Sequence, residues 1–169
     1  EVPLAPLLEA ARRAKRARGL EEVNLHSFCA NAHGELFALL AQLQPRFDRI
    51  GLKSQRIDLL AGTPDLLEAE FATDKRSFSL GVEGISQRQR DWLHKSLGQA
   101  DLDTVIGWLL QRRAREIKLF YLLTGNENAA DLAEFGAWVR ALRERARDTR
   151  VICSFGPLIR MPFTPLQYD

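Results

Sequence analysis

Extended and helical patterns alternate five times along these 169 residues, and no other feature limits the possible folds as strongly. Each repeat takes about thirty residues, the length of a strand, a crossover helix and their turns. Successive strands joined in this way lie parallel, and the crossovers are right-handed. Five units are too few to close an eight-stranded barrel, so the sheet is either open and doubly wound or a partial barrel.

In chain order, residues 3–18 read as a helix with prolines at its start and Gly19 as its stop. Residues 22–28 form the first strand, and residues 33–47 carry Leu36, Phe37, Leu40 and Leu43 at helical spacing. Residues 49–58, RIGLKSQRID, read as the second strand. Thr63 and Pro64 then supply an N-cap and a first helical position. The third strand is residues 76–83, followed by helices at 86–97 and 101–113 with a break at Gly98. The fourth strand, residues 116–123, is the most apolar; a long helix at 129–147 and a fifth strand at 150–155 complete the pattern. The tail from Gly156 reads as irregular.

Hydrophobic residues make up 46% and charged residues 27%, the range of a soluble globular domain, and the length suits a single domain over residues 1–169. The formal net charge of +2 gives no broad field for nucleic acid or a membrane surface. The two cysteines, Cys29 and Cys153, form neither a disulfide framework nor a metal-ligand spacing, and each reads as a small packing residue. There is no apolar run long enough to span a bilayer and no signal peptide, so the expected location is the cytoplasm. The chain opens on Glu1, not Met, and is expected to be a piece of a longer protein.

The stretch RSFSLGVEGIS, residues 76–86, organises the candidate site. A buried strand ends in a carboxylate, Glu83, directly before a helical pattern. The carboxyl ends of parallel strands are where α/β sheets gather ligand chemistry, and a carboxylate removed from water requires a partner. The other strand exits bring Ser27, Cys29 and Asn31; Ser54 and Arg56; Thr124, Gly125, Asn126 and Glu127; and Ser154 and Arg160. Arg56 suits a carboxylate, and Glu83 an amine or paired hydroxyls, so together they suit a zwitterionic, hydroxyl-bearing small molecule. A plain Arg56–Glu83 salt bridge between neighbouring strands is the competing expectation. No GxGxxG or GxxxxGK[ST] turn is present, so the dinucleotide and P-loop readings have no motif.

GVEGISQRQRDWLHKSL, with Asp101 and Leu102 after it, resembles radical S-adenosylmethionine enzymes, in particular members associated with an upstream cobalamin-binding domain. The positions that carry the resemblance are Glu83, Ser86, Arg88, Arg90, His94 and Lys95. RIGLKSQRID looks like the family's Ser-x-Arg-x-Asp strand at Ser54, Arg56 and Asp58. EIKLFYLLTG looks like its strand before a glycine turn, and PFTPLQ like a common ending. The similarity runs from about Glu22 to Gln167. It implies a six-stranded partial (βα) barrel with helices outside, binding S-adenosylmethionine across its strand exits. Glu83 would meet the ribose or amino group, and Ser54 and Arg56 the ribose hydroxyls or methionyl carboxylate. Ser27, Asn31, Gly125 and Asn126 are further cofactor-contact positions by place.

The implied activity is reductive cleavage of S-adenosylmethionine by a 4Fe-4S cluster, giving a 5′-deoxyadenosyl radical that abstracts hydrogen from a small-molecule substrate. The family's first strand and CxxxCxxC loop are absent here, and two cysteines cannot hold a cluster. The cluster ligands are expected upstream in a parent protein, whose adjoining domain is the expected partner and where cobalamin is a further cofactor. This fragment alone is then inactive. The turn at residues 124–128 and the segment Ala30–Glu35 also depart from the family's Gly-x-Pro-x-Glu and Gly-Gly-Glu patterns. A degenerate, non-catalytic partial barrel, kept as a scaffold or partner-binding module, is the alternative.

Overall fold

Six parallel strands and seven α-helices follow one another in a computed structural model that describes residues 2–27, 29–53 and 55–163. The strands are β1 (Glu22–Leu25), β2 (Arg49–Leu52), β3 (Gln55–Arg56), β4 (Ser77–Glu83), β5 (Glu116–Leu123) and β6 (Arg150–Pro157). The helices are α1 (Leu4–Arg18), α2 (Leu36–Leu43), α3 (Ile57–Gly62), α4 (Pro64–Ala72), α5 (Gln87–Trp92), α6 (Gln99–Gln111) and α7 (Ala129–Arg145). Among the described residues the strands form two sheets, β1-β2 and β3-β4-β5-β6, and no barrel closes. The fold is α/β, a partial βα arrangement.

The two sheets share one pass of the chain. β2 pairs with β1 from Arg49 to Leu52, and after two residues β3 pairs with β4 at Gln55 and Arg56. The expected second strand over 49–58 is thus two short strands, and it ends sooner than expected because Ile57 opens α3. Ile57 and Leu60, both fully buried, fall three residues apart on the buried face of that helix. Ile57 falls at the end of the stretch that reads as extended and Leu60 lies just beyond it, so the pair straddles the expected boundary. Elsewhere, β6 continues to Pro157, two residues into the stretch expected to be irregular. Thr63 precedes Pro64 as expected but makes no side-chain cap bond.

Strand order follows chain order, which with right-handed crossovers puts the helices on one face. The burial pattern agrees. Phe78, Leu80 and Val82 of β4 and Ile117, Leu119 and Tyr121 of β5 are buried beneath the helices. The residues between them, Ser79, Gly81, Lys118 and Phe120, lie on the other face and stay partly exposed. That second face is the inner surface of an open half-barrel, and it is polar. The core lies between sheet and helices, where Leu40, Leu43, Leu67, Val105 and Leu109 are almost fully buried.

The helix side also holds a buried polar triad. Lys75 Nζ donates to Gln55 Oε1 at 2.8 Å and pairs with Glu70, which also accepts from Gln55 Nε2. Burial pushes the Glu70 carboxyl up and the Lys75 ammonium down, and each opposes the other's shift by its charge. The triad fixes β3 to α4 beside the seam where the two sheets part.

Candidate functional site at the exit of β4

The end of β4 is irregular in a way that aims one side chain. Gly81 sits opposite Phe120 and Glu83 opposite Tyr121, so β4 carries one residue more than β5 at Val82. Such a bulge bends the strand and redirects the side chains beyond it. Glu83 completes the turn in the left-handed region, with φ of 70°. A non-glycine residue there costs about 1–3 kcal/mol, and such strain collects at ligand sites. The Glu83 carboxylate folds back over Gly81, where an added Cβ would lie 2.5 Å from Oε1. Gly81 is therefore required for that side-chain pose.

Glu83 faces a cleft of about 270 Å³ whose walls include Gln55, Arg56, Ser79, Gly81, Lys95 and Phe120. Lys95 Nζ donates to Glu83 Oε1 at 3.2 Å. It returns to the cleft through a turn in which His94, with φ of 51°, precedes it and the Lys95 N–H donates to Arg90 O. Phe120 is 39% exposed on the inner surface, with Lys118 Nζ over one face of its ring at 4.8 Å from the centroid. The expected pair is therefore brought into one cleft, yet Arg56 and Glu83 do not bridge. Arg56 instead grips Asp58 through both Nε and Nη2. That contact raises the Arg56 pKa further; Asp58 is pushed up by partial burial but is drawn net below its ordinary value by the same guanidinium.

The other positions behave differently. Asn31 serves the backbone: its Oδ1 accepts from Arg56 N at 2.9 Å and its Nδ2 donates to Arg56 O at 2.8 Å. This amide acts as a one-residue strand that extends the ladder beside β3. Ser27 lies beyond β1 and accepts from the Cys29 N–H, near a separate cavity with His33 and Val2. Gly125, with φ of 80°, and Asn126 form the turn after β5 and do not line the Glu83 cleft. Glu127 closes that turn by accepting from Thr124 N at 2.6 Å and Gly125 N at 2.9 Å. Although burial opposes it, those bonds hold the Glu127 carboxyl below its ordinary value. Ser54, and Thr164–Gln167 of the PFTPLQ segment, lie outside the described residues.

Of the motif after Glu83, only Lys95 lines the cleft. Ser86 caps α5 by accepting from Gln89 N at 3.1 Å and donates to Asp131 Oδ1 at 2.6 Å. Arg88 also binds Asp131, and Asp131 caps α7 by accepting from Asn128 N at 2.8 Å. The Arg88 hydrogen bond, aided by Ser86, holds the Asp131 carboxyl far below the usual carboxylate range. Arg90 is buried and donates to Leu97 O, Gly84 O, Gln87 and Gln99, which binds the segment after Lys95 and the Gly84 turn to α5. Gly84 allows this seat, since a Cβ there would stand 2.5 Å from Arg90 N. Lys95 was visible in the sequence as a motif position, but its place in the cleft depends on this packing.

Among the described residues, no group of three His, Cys, Asp or Glu side chains could hold a metal ion. Cys29 and Cys153, the two cysteines of the chain, do not fit the ligation of an iron–sulfur cluster. Among the described residues no helix is long and apolar enough to cross a membrane. No protein-family model and no curated protein matches this chain.

Proposed function

We propose that this chain is the S-adenosylmethionine-binding part of a radical S-adenosylmethionine enzyme of the cytoplasm. The observation that carries the reading is Glu83, held in a strained conformation by a bulge and aimed into a cleft that it shares with two cations. A carboxylate in that place accepts from an amine or a ribose diol, and favours a sulfonium nearby by charge. Lys95 and Arg56 supply donors for the methionyl carboxylate. Phe120 offers a face on which a base can stack. The cofactor therefore fits the donor set.

The cluster does not fit, and no step is assigned to it. The reading requires its cysteines to come from outside these 169 residues. Cobalamin, expected for a separate domain, takes no part in the site. The residues described bind and orient a ligand; the electron and the substrate are supplied elsewhere. A degenerate, non-catalytic partial barrel is the second reading: Glu83 and Arg56 each already have a protein partner, Lys95 and Asp58.

Equilibrium dialysis with labelled S-adenosylmethionine, beside Glu83→Gln, tests the reading. Saturable binding that weakens at least tenfold in the variant supports it, a loss of about 1.4 kcal/mol. Equal binding by both proteins, or none by either, overturns it. A longer protein that carries the cluster cysteines and forms 5′-deoxyadenosine would separate enzyme from scaffold.

A further inference from the structure

A second cavity, of about 390 Å³, opens on the inner face where β2 leaves β4 unpaired. Here β2 is bonded to β1 alone, and β4 meets its neighbour on this side at two residues of β3, so the strands splay into a wedge. Five cations line the wedge: Arg49, Lys53, Lys75, Arg76 and Arg115. Three of them have carboxylate partners. Arg49 pairs with Glu22 at 3.2 Å, Arg76 with Asp74 at 3.2 Å, and Lys75 with the buried Glu70. Lys53 and Arg115 have no side-chain hydrogen bond or ion pair among the described residues. The wedge thus keeps an excess of two positive charges, as much as the formal net charge of the entire chain.

The floor of the wedge is shaped as well as charged. Gly51 lies beside Asn24 on the neighbouring strand, and a Cβ on Gly51 would fall 2.0 Å from Asn24 Oδ1. The missing side chain lets the Asn24 amide lie across the strand, with Nδ2 donating to Glu22 at 2.9 Å. An amide and the Ser77 side chain therefore stand among the cations as neutral hydrogen-bonding groups. Two free cations beside neutral donors match a compact dianion with several acceptor oxygens. The low net charge of the chain and the small volume argue for a small molecule over a nucleic-acid backbone.

We propose that this wedge binds the phosphate group, or an equivalent dianion, of a small-molecule ligand, with Lys53 and Arg115 as its two charged contacts. The site stands apart from the Glu83 cleft and does not rest on the reading given to it. Both open on the same inner face, the wedge toward the amino ends of β4 and β5 and the cleft toward their carboxyl ends. A phosphorylated ligand anchored in the wedge would therefore extend along the trough toward Glu83.

Calorimetric titration of the chain with inorganic phosphate and with pyrophosphate, read beside amide shifts in 15N spectra, tests the assignment. The expected result is saturable binding, with shifts centred on Asn24, Gly51 and Ser77. The double variant Lys53→Met/Arg115→Met is expected to weaken that binding at least tenfold. Arg16→Ala, which removes an exposed cation on α1, is expected to leave it unchanged. Glu83→Gln is also expected to leave it unchanged, so a failure at the cleft and a failure at the wedge give different results. Both substituted cations are exposed, and a native-like amide spectrum of the double variant verifies its fold. Absence of saturable binding, shifts confined to other surfaces, or undiminished binding by the folded double variant would overturn the proposal.

Discussion

Glu83 and Arg56 line one cleft from adjacent strands, and each has a different partner: Lys95 for Glu83 and Asp58 for Arg56. This arrangement leaves space between them. A direct bridge would have filled the cleft with protein; two side pairs leave an acid and two cations around an opening. Partly exposed pairs of this kind are worth little to stability, about 0–1 kcal/mol, so a ligand can exchange with them at small cost.

Gly81→Ala separates site from scaffold. The added Cβ meets the Glu83 carboxylate at 2.5 Å and Lys95 Nζ at 3.7 Å, both the far ends of flexible side chains. Chemical denaturation is expected to show a stability change under about 1 kcal/mol. Ligand binding at the cleft is expected to fall with that of Glu83→Gln, because the carboxylate has lost its pose.

Backbone strain at Glu83 gives a second test. Glu83→Gly and Glu83→Ala both remove the carboxylate and its contact with Lys95. Only glycine accepts φ of 70° without strain. Urea unfolding is expected to find the glycine variant more stable than the alanine variant by about 1 kcal/mol. The reverse order would mean that the turn relaxes without glycine.

How far the sequence discloses this site depends on the kind of signal each residue carries. The βα alternation was legible because buried strands and amphipathic helices have different periods. Arg56 and Glu83 were legible as charges at the ends of apolar runs. The bulge at Val82 was not, since an extra residue in one strand leaves no mark on hydrophobicity. Asn31 shows the same limit: an amide at a strand exit reads as a ligand contact, whereas here it continues the hydrogen-bond ladder beside Arg56. The wedge was hidden because it depends on which strands part, and pairing is a long-range choice. Helix α3 was hidden by its length, six residues of which the first two, Ile57 and Asp58, end an apparently extended run.

The buried triad predicts an asymmetry between single and double changes. Lys75→Met leaves the Glu70 carboxylate beside an apolar side chain and is expected to cost about 3–5 kcal/mol in denaturant unfolding. The pair Glu70→Leu/Lys75→Met removes both charges and is expected to recover part of that loss, the remainder being the cost of leaving the buried Gln55 amide without its two partners. Additive losses would contradict the pairing.

Acid titration reads the Ser86–Arg88–Asp131 network. The Asp131 carboxyl lies below its ordinary value in the folded chain, so its ionised form stabilises the fold. That contribution is complete above the unfolded value of about 3.9 and is lost as pH falls through the lower folded value. Asp131→Asn is expected to lower stability at pH 7 by about 3 kcal/mol and to flatten the loss below about pH 4. An unchanged acid limb in thermal melts across that range would contradict the assignment.

The most direct measurement tracks S-adenosylmethionine binding residue by residue in 15N spectra of the chain. Saturable shifts are predicted at Gly81, Glu83, Gly84, Lys95 and Phe120, and they are predicted to disappear in Gly81→Ala while its fold is kept. Shifts that avoid the end of β4, or no saturable change at all, would contradict the placement of the cofactor in this cleft.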